Sequence, residues 1–292
     1  MLVTLTYKNL TAVIDSLGAQ LVSLKDSGRE YMWQGDPNFW SGCSPLLFPA
    51  IGNSRSSRTI FDGRIYDMPK HGFCRSTPFQ ITRQTQDTAV FTIRSSAETK
   101  SMYPYDFSLS LTYSLSDDGL SMDYEVQNLD TCTISYCIGA HPGFNCPMEK
   151  GSCFEDYQLE LECEECADAL VYNIDHLEFD ADSHGYRLDN SRVIPLDYRL
   201  FYSDAVYFTS LKSRKVSLIH KETRKGVEVF YPDFQGIAFW TPAQGGAPFL
   251  CIEPWNGSAI RSDEDDEFIH KFQVQILKAG QAQTYHLGIR II

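Results

Sequence analysis

In this chain of 292 residues, a titratable side chain directly before a proline stands out at two places, each at the close of an apolar strand. One is His141-Pro142, within Gly139-Ala140-His141-Pro142-Gly143-Phe144, and the other is Glu253-Pro254, within Phe249-Leu250-Cys251-Ile252-Glu253-Pro254-Trp255. Proline disfavours the helical region for the residue before it, so both side chains are expected to be held extended at a strand end, where they can project into a cleft. A carboxylate and an imidazole are suited to reversible proton transfer, provided that each pKa is brought near working pH. Partial burial between Ile252 and Pro254 would raise that of Glu253. An aromatic follows each pair, and Phe144 and Trp255 offer flat apolar faces for the C–H side of a sugar ring. The bland alternative is a satisfied half-buried histidine and an exposed strand-end glutamate. A third histidine sits in a glycine-containing turn, Pro69-Lys70-His71-Gly72-Phe73-Cys74-Arg75.

The elements that must position these residues read as strands. Phe107, Leu109, Leu111, Tyr113 and Leu115 alternate with mostly Ser and Thr, Asp117-Asp118-Gly119 supplies a turn, and Leu120, Met122, Tyr124 and Val126 resume the alternation, so a hairpin is expected. Val274 and Ile276, a turn at Ala279-Gly280-Gln281, then Tyr285, Leu287 and Ile289 suggest a second hairpin. Met1–Tyr7 alternates as a first strand, with no basic start and apolar block of a signal peptide. Further candidates are Gln20–Leu24, Ala89–Ser95, Thr133–Gly139, Gln158–Glu164, Ala205–Leu211, Lys215–His220, Gly226–Tyr231, Gly236–Thr241 and Phe249–Glu253. Helical periodicity is confined to short pieces at Asn38–Gly42 and Glu264–Lys271. Many short strands without intervening helices predict an all-β fold, a large antiparallel sandwich or barrel, in one domain over residues 1–292. The loops Pro45–Pro69 and Ala140–Gly151 are where a rigid sheet would carry its chemistry.

The motifs together resemble the aldose 1-epimerase family, in its shorter bacterial, galactose mutarotase-related branch. The resemblance rests on Pro45-Leu46-Leu47-Phe48-Pro49-Ala50-Ile51-Gly52, Phe61-Asp62-Gly63, Met68-Pro69-Lys70-His71-Gly72-Phe73-Cys74-Arg75, Ala140-His141-Pro142-Gly143-Phe144 and Cys251-Ile252-Glu253-Pro254-Trp255-Asn256-Gly257, in that order. It implies a β-supersandwich holding a free aldose in an open groove and interconverting its α and β anomers, with no metal and no organic cofactor. It implies Glu253 as catalytic base, His141 as catalytic acid, and His71, Asp204 and Arg75 as sugar-binding residues. Where the family usually places arginine after the first motif, this chain has Asn53, a fourth substrate-binding candidate, with Arg55 two residues on. Either Arg55 reaches that place through a shifted loop, or its hydrogen bond has been lost.

Composition bounds the partners. Against 38 Asp and Glu there are 25 Lys and Arg, a net charge of -13 that disfavours nucleic acid, whose binding depends on many basic contacts. No apolar run approaches the ~18 residues of a spanning helix, so no membrane partner and a cytoplasmic location are expected. The partner expected is a monosaccharide of the glucose or galactose type. Residues 53–75 nevertheless hold five basic residues against two acidic ones, which keeps a hexose 6-phosphate in play. A non-catalytic carbohydrate-binding protein is the third reading, although binding alone needs no matched acid and base.

Other signals carry less. Cys163-Glu164-Glu165-Cys166 has redox or zinc spacing but lacks further ligands, and its glutamates should raise the thiol pKa. Nine cysteines over a long chain suggest reduced thiols. The acidic run Asp263–Glu267 lacks the spacing of a calcium loop. His176, His184, His220, His270 and His286 are assigned to surface or packing, and Trp33 and Trp40 to the core, with groove lining as the alternative.

Overall fold

Alternation in the sequence becomes alternation of burial. In the strand Phe107–Ser116 the odd-numbered apolar positions are buried while Ser110, Thr112 and Ser114 are half-exposed, as a sheet with one face on the core requires. It pairs with Gly119–Asn128 across the two-residue turn Asp117-Asp118. The computed structural model describes residues 1–292 and is built on antiparallel pairing between its strands.

Nine strands form the largest sheet, in the order Arg187–Pro195, Tyr157–Asp168, Lys215–His220, Gly226–Phe230, Ala282–Ile291, Gly119–Asn128, Phe107–Ser116, Thr88–Arg94 and Gln80–Gln84. The second sheet runs Val206–Phe208, Gly236–Trp240, Phe249–Asn256, Ile138–Ala140 and Leu46–Leu47, with Gly143–Asn145 also paired to Phe249–Asn256. A four-stranded meander over Leu2–Glu30 opens the chain. Buried apolar side chains from all three sheets join in one contiguous core of 73 residues. This is the large antiparallel all-β sandwich that the strand pattern predicts.

Three expectations need correction. Gln275–Leu277 does not form a hairpin with the last strand but pairs with Ile134–Tyr136, while Ala282–Ile291 enters the nine-stranded sheet. The turn between them exists, yet the buried Asn128 pins it at a corner: its side-chain amide donates to Leu277 O and Cys132 O, and its main chain accepts from Gly280 N and donates to Gln281 O. Asn38–Gly42 is not helical, and Glu264–Lys271 contains only the three-residue turn Phe268–His270. The segment Pro45–Pro69 is not all loop, because Arg58–Phe61 and Arg64–Asp67 form a hairpin within it.

Candidate active site

Strand register brings His141 to Glu253. On the second sheet Gly139 lies opposite Trp255 and Gly143 opposite Cys251, so the residues midway between them, 141 and 253, face each other where Pro142 interrupts the ladder. On the other side of the same strand Ala238 pairs with Glu253. The result is a contact of 3.2 Å between His141 Nε2 and Glu253 Oε2, with the two residues only 8% and 1% exposed. Both sit in the wall of an open cavity of about 270 Å³, lined also by Trp40, His71, Arg75, Asp204 and Trp240.

Burial governs the electrostatics. Loss of solvent lowers the His141 imidazole to about 3, its own backbone opposes the shift, and nearby Arg75 and Lys70 add to it. The Glu253 carboxyl is held well above its usual value, first by burial and then by the negative charge of Asp204. Both shifts favour a pair of neutral groups sharing one proton across the short contact. His141 Nδ1 is buried without a hydrogen-bond partner, so ring packing orients the imidazole. Trp40 stacks on it at 4.9 Å and 26°, and Trp240 meets it edge-on at 5.6 Å.

His71 is fixed by close backbone approach. Its main-chain N–H donates to Gly52 O at 2.9 Å, and the Gly52 N–H donates back to its Nδ1 at 3.1 Å. An Nδ1 that accepts leaves the proton on Nε2, and burial keeps the ring neutral by lowering its pKa well below the ordinary value. The turn requires glycines: a Cβ on Gly72, at φ +70°, would lie 2.2 Å from Phe48 O, and one on Gly52, at φ +63°, 2.3 Å from Ala259 Cβ. The His71 and His141 rings are 5.7 Å apart.

Of the residues singled out in the sequence, His71, Arg75, His141, Asp204 and Glu253 line one cavity. Burial raises the Asp204 carboxyl, opposed by Lys70. Asn53 stands behind the wall, donating its side-chain amide to Tyr172 Oη at 2.9 Å, and it is Tyr172 that reaches the cavity. Arg55 does not line the cavity. It turns outward to Asp266 at 2.8 Å and Glu178 at 3.5 Å and is 40% exposed. Phe144 is wholly buried away from the cavity, whereas Trp255 lines it. Trp33 is core, stacked on Phe249 at 4.5 Å, but Trp40 joins the wall.

Sequence reasoning gave no role to Tyr172 and Trp240, and counted Lys70 only within the basic segment 53–75. Trp240 was within reach, because it lies two residues beyond Ala238 on a recognised strand and so shares its face. Tyr172 comes from the small hairpin Val171–Asn173 and Glu178–Asp180, which carries no distinguishing pattern. The remaining histidines stay outside the cavity, although His270 and His286 do find carboxylates, Asp265 and Asp123, each at 2.8 Å. Cys163 and Cys166 bond to different partners, Ser213 and Asn190, and none of the nine cysteines is in a disulfide. Glu264, from the acidic run, is turned in toward Lys271 at 3.5 Å. No helix is long and apolar enough to cross a membrane.

Known proteins resemble this chain in both sequence and fold. The model of the family described as aldose 1-epimerase matches residues 1–275. The chain is 36% identical to the chromosomal LacX protein of Lactococcus lactis subsp. lactis over 284 residues, 94% of each chain, and 36% identical to its plasmid counterpart over 285 residues. Among solved structures, a galactose mutarotase-related enzyme from Lactobacillus acidophilus superimposes with a TM-score of 0.94 at 27% identity, covering 100% of this chain and 97% of that one. A galactose mutarotase-like protein from Lactobacillus casei gives 0.89 at 27% identity, with both chains fully covered. Fold and whole-length sequence similarity coincide, and the chain belongs to the aldose 1-epimerase family.

Proposed function

We propose that this protein is an aldose 1-epimerase that interconverts the α and β anomers of a free hexose of the glucose or galactose type, without metal or organic cofactor. One observation carries the reading: a buried carboxyl and imidazole 3.2 Å apart in the wall of a sugar-sized cavity. Opening a cyclic hemiacetal needs a proton taken from the anomeric hydroxyl and one given to the ring oxygen. Glu253 is the base and His141 the acid. As the C1–O5 bond breaks, Glu253 gains a proton and His141 loses one, the aldehyde rotates about C1–C2, and the reverse transfers close the ring on its other face. The one proton of the pair, which burial holds on Glu253 at rest, must first pass to His141 across the short contact, and the two transfers of ring opening then return both groups to their neutral forms. His71 Nε2–H donates to a sugar hydroxyl, Asp204 accepts from another and Arg75 donates at the rim, while Trp40, Trp240 and Trp255 supply apolar faces. The compartment proposed is the cytoplasm, where such sugars circulate, and the unit proposed is one domain over residues 1–292.

Polarimetry of freshly dissolved α-glucose and α-galactose tests this. The protein should speed the approach to equilibrium, and failure on both sugars removes the reading. A second reading, a hexose 6-phosphate 1-epimerase, is favoured by Lys70 and Arg75, two cavity cations without carboxylate partners. Comparing rates on glucose and glucose 6-phosphate separates the two. A non-catalytic sugar-binding protein would show affinity without any rate enhancement.

A further inference from the structure

His141 and Glu253 have a third neighbour that the proton-transfer chemistry leaves idle. Cys251 lies two residues before Glu253 on the strand Phe249–Asn256, so the two side chains share a face. Its thiol sulfur, a His141 ring nitrogen and a Glu253 carboxyl oxygen all lie within 4.8 Å of one another, and all three residues are buried. Thiolate, imidazole and carboxylate are the donor types that bind zinc-class ions, where three protein ligands leave a fourth position open. They are the wrong set for magnesium or calcium, which demand several oxygen ligands.

We propose that Cys251, His141 and Glu253 form a site for one thiophilic divalent cation of the zinc class, entered from the cavity, and that its occupancy shuts the cavity to sugar.

Charge balance makes such an ion tolerable in a buried place. Without metal the cluster is neutral, made up of a protonated thiol and an acid–base pair sharing one proton. A divalent ion that displaces both protons leaves a thiolate, a carboxylate and a neutral imidazole around two positive charges, and the cluster is neutral again. Geometry needs only a small adjustment. Metal–donor lengths of about 2.0–2.3 Å put tetrahedral donors about 3.3–3.7 Å apart. The His141–Glu253 contact is already at 3.2 Å, and the widest separation, at most 4.8 Å, must close by roughly 1 Å. Both oxygen and nitrogen lone pairs that would handle the sugar's protons are then committed to the ion. The blocking half of the proposal therefore rests on the acid–base reading above, and the binding half does not.

The test uses the full chain with Cys132, Cys153, Cys163 and Cys166, the four cysteines that are not buried, changed to serine so that surface thiols do not compete. Cadmium chloride is titrated while the sulfur-to-cadmium charge-transfer absorbance, the heat and the proton release are followed. The expected result is one equivalent bound, a thiolate band, about two protons released and reversal by a chelator. Cys251→Ser should lose the band and weaken binding at least about 100-fold, beyond what loss of a ligand's outer partner brings. His141→Asn, which keeps the thiol, should also weaken binding, and it guards against a Cys251 variant that folds poorly. In polarimetry, cadmium should halt anomer interconversion, and the cadmium concentration that halves whatever rate Cys251→Ser retains should rise in step with its Kd. Absence of a one-equivalent thiolate complex, or equal affinity in Cys251→Ser, overturns the site. Tight binding that leaves the rate untouched overturns the blocking half. A protein that binds cadmium as expected but never speeds anomer exchange keeps the site and loses the acid–base reading.

Discussion

Replacing Glu253 by glutamine separates the proposed chemistry from the fold. Glutamine has nearly the shape of the carboxyl and can keep the 3.2 Å contact to His141 Nε2, but it cannot take up a proton. A positioned general base is worth about 100- to 10,000-fold, or roughly 3–5.5 kcal/mol of barrier, so the enzymatic rate of anomer exchange should fall by that factor. Stability should move differently. Burial holds the Glu253 carboxyl well above 4.5, so the folded state binds a proton there that the unfolded chain releases. The stability contributed by that carboxyl is complete below about 4.5 and is lost as pH rises toward the raised folded value, at about 1.4 kcal/mol for each pKa unit. Wild type should thus lose melting temperature relative to Glu253→Gln as pH rises above about 4.5. The difference between the two proteins isolates the carboxyl from every other titrating group. Polarimetry over a no-enzyme blank gives the rate, and thermal unfolding followed by circular dichroism gives the stability. A folded Glu253→Gln protein that keeps more than about a tenth of the rate would sink the reasoning, as would an unchanged pH slope.

Three further outcomes are expected. The pair works while it holds one proton, which spans the interval from a His141 value of about 3 up to the raised Glu253 value. kcat/KM should therefore stay level as pH falls through the ordinary imidazole range near about 6.5, and an acid limb centred there would show that burial does not set the His141 pKa. His71→Ala should raise KM at least as much as it lowers kcat, because its Nε2–H is a ground-state donor, and an unchanged sugar affinity would remove its assigned role. Arg55→Ala should leave kcat/KM within about twofold and cost under ~1 kcal/mol in thermal unfolding, as its partners Asp266 and Glu178 lie outside the cavity. A large fall in kcat/KM would mean that Arg55 turns inward on sugar.

What was legible in the sequence follows from what each signal encodes. Alternation reports which face of a strand is wet, and Phe107–Ser116 and Gly119–Asn128 were readable because each has one buried face. It says nothing of partners, which is why Gln275–Leu277 and Ala282–Ile291 looked like a hairpin although Asn128 sends them to different sheets. His141 and Glu253 stood out because a titratable residue before proline is a local feature with a backbone consequence. Tyr172 and Lys70 become cavity residues only when separate segments converge. The substitution at Asn53 could be interpreted only with Tyr172 beside it.

The aromatic wall has an optical consequence. The chain contains four tryptophans: Trp40, Trp240 and Trp255 line the cavity, and Trp33 lies just behind, donating its indole N–H to the Trp40 carbonyl at 2.8 Å. None lies on a distant surface, so the tryptophan emission of the whole protein originates at one place. Trp40, stacked on the His141 imidazole, is open to quenching whenever that ring takes up a proton. Occupancy and protonation of the cavity can thus be followed in unlabelled protein, on the millisecond scale of a stopped-flow mixer, with a signal that has no background from elsewhere in the fold.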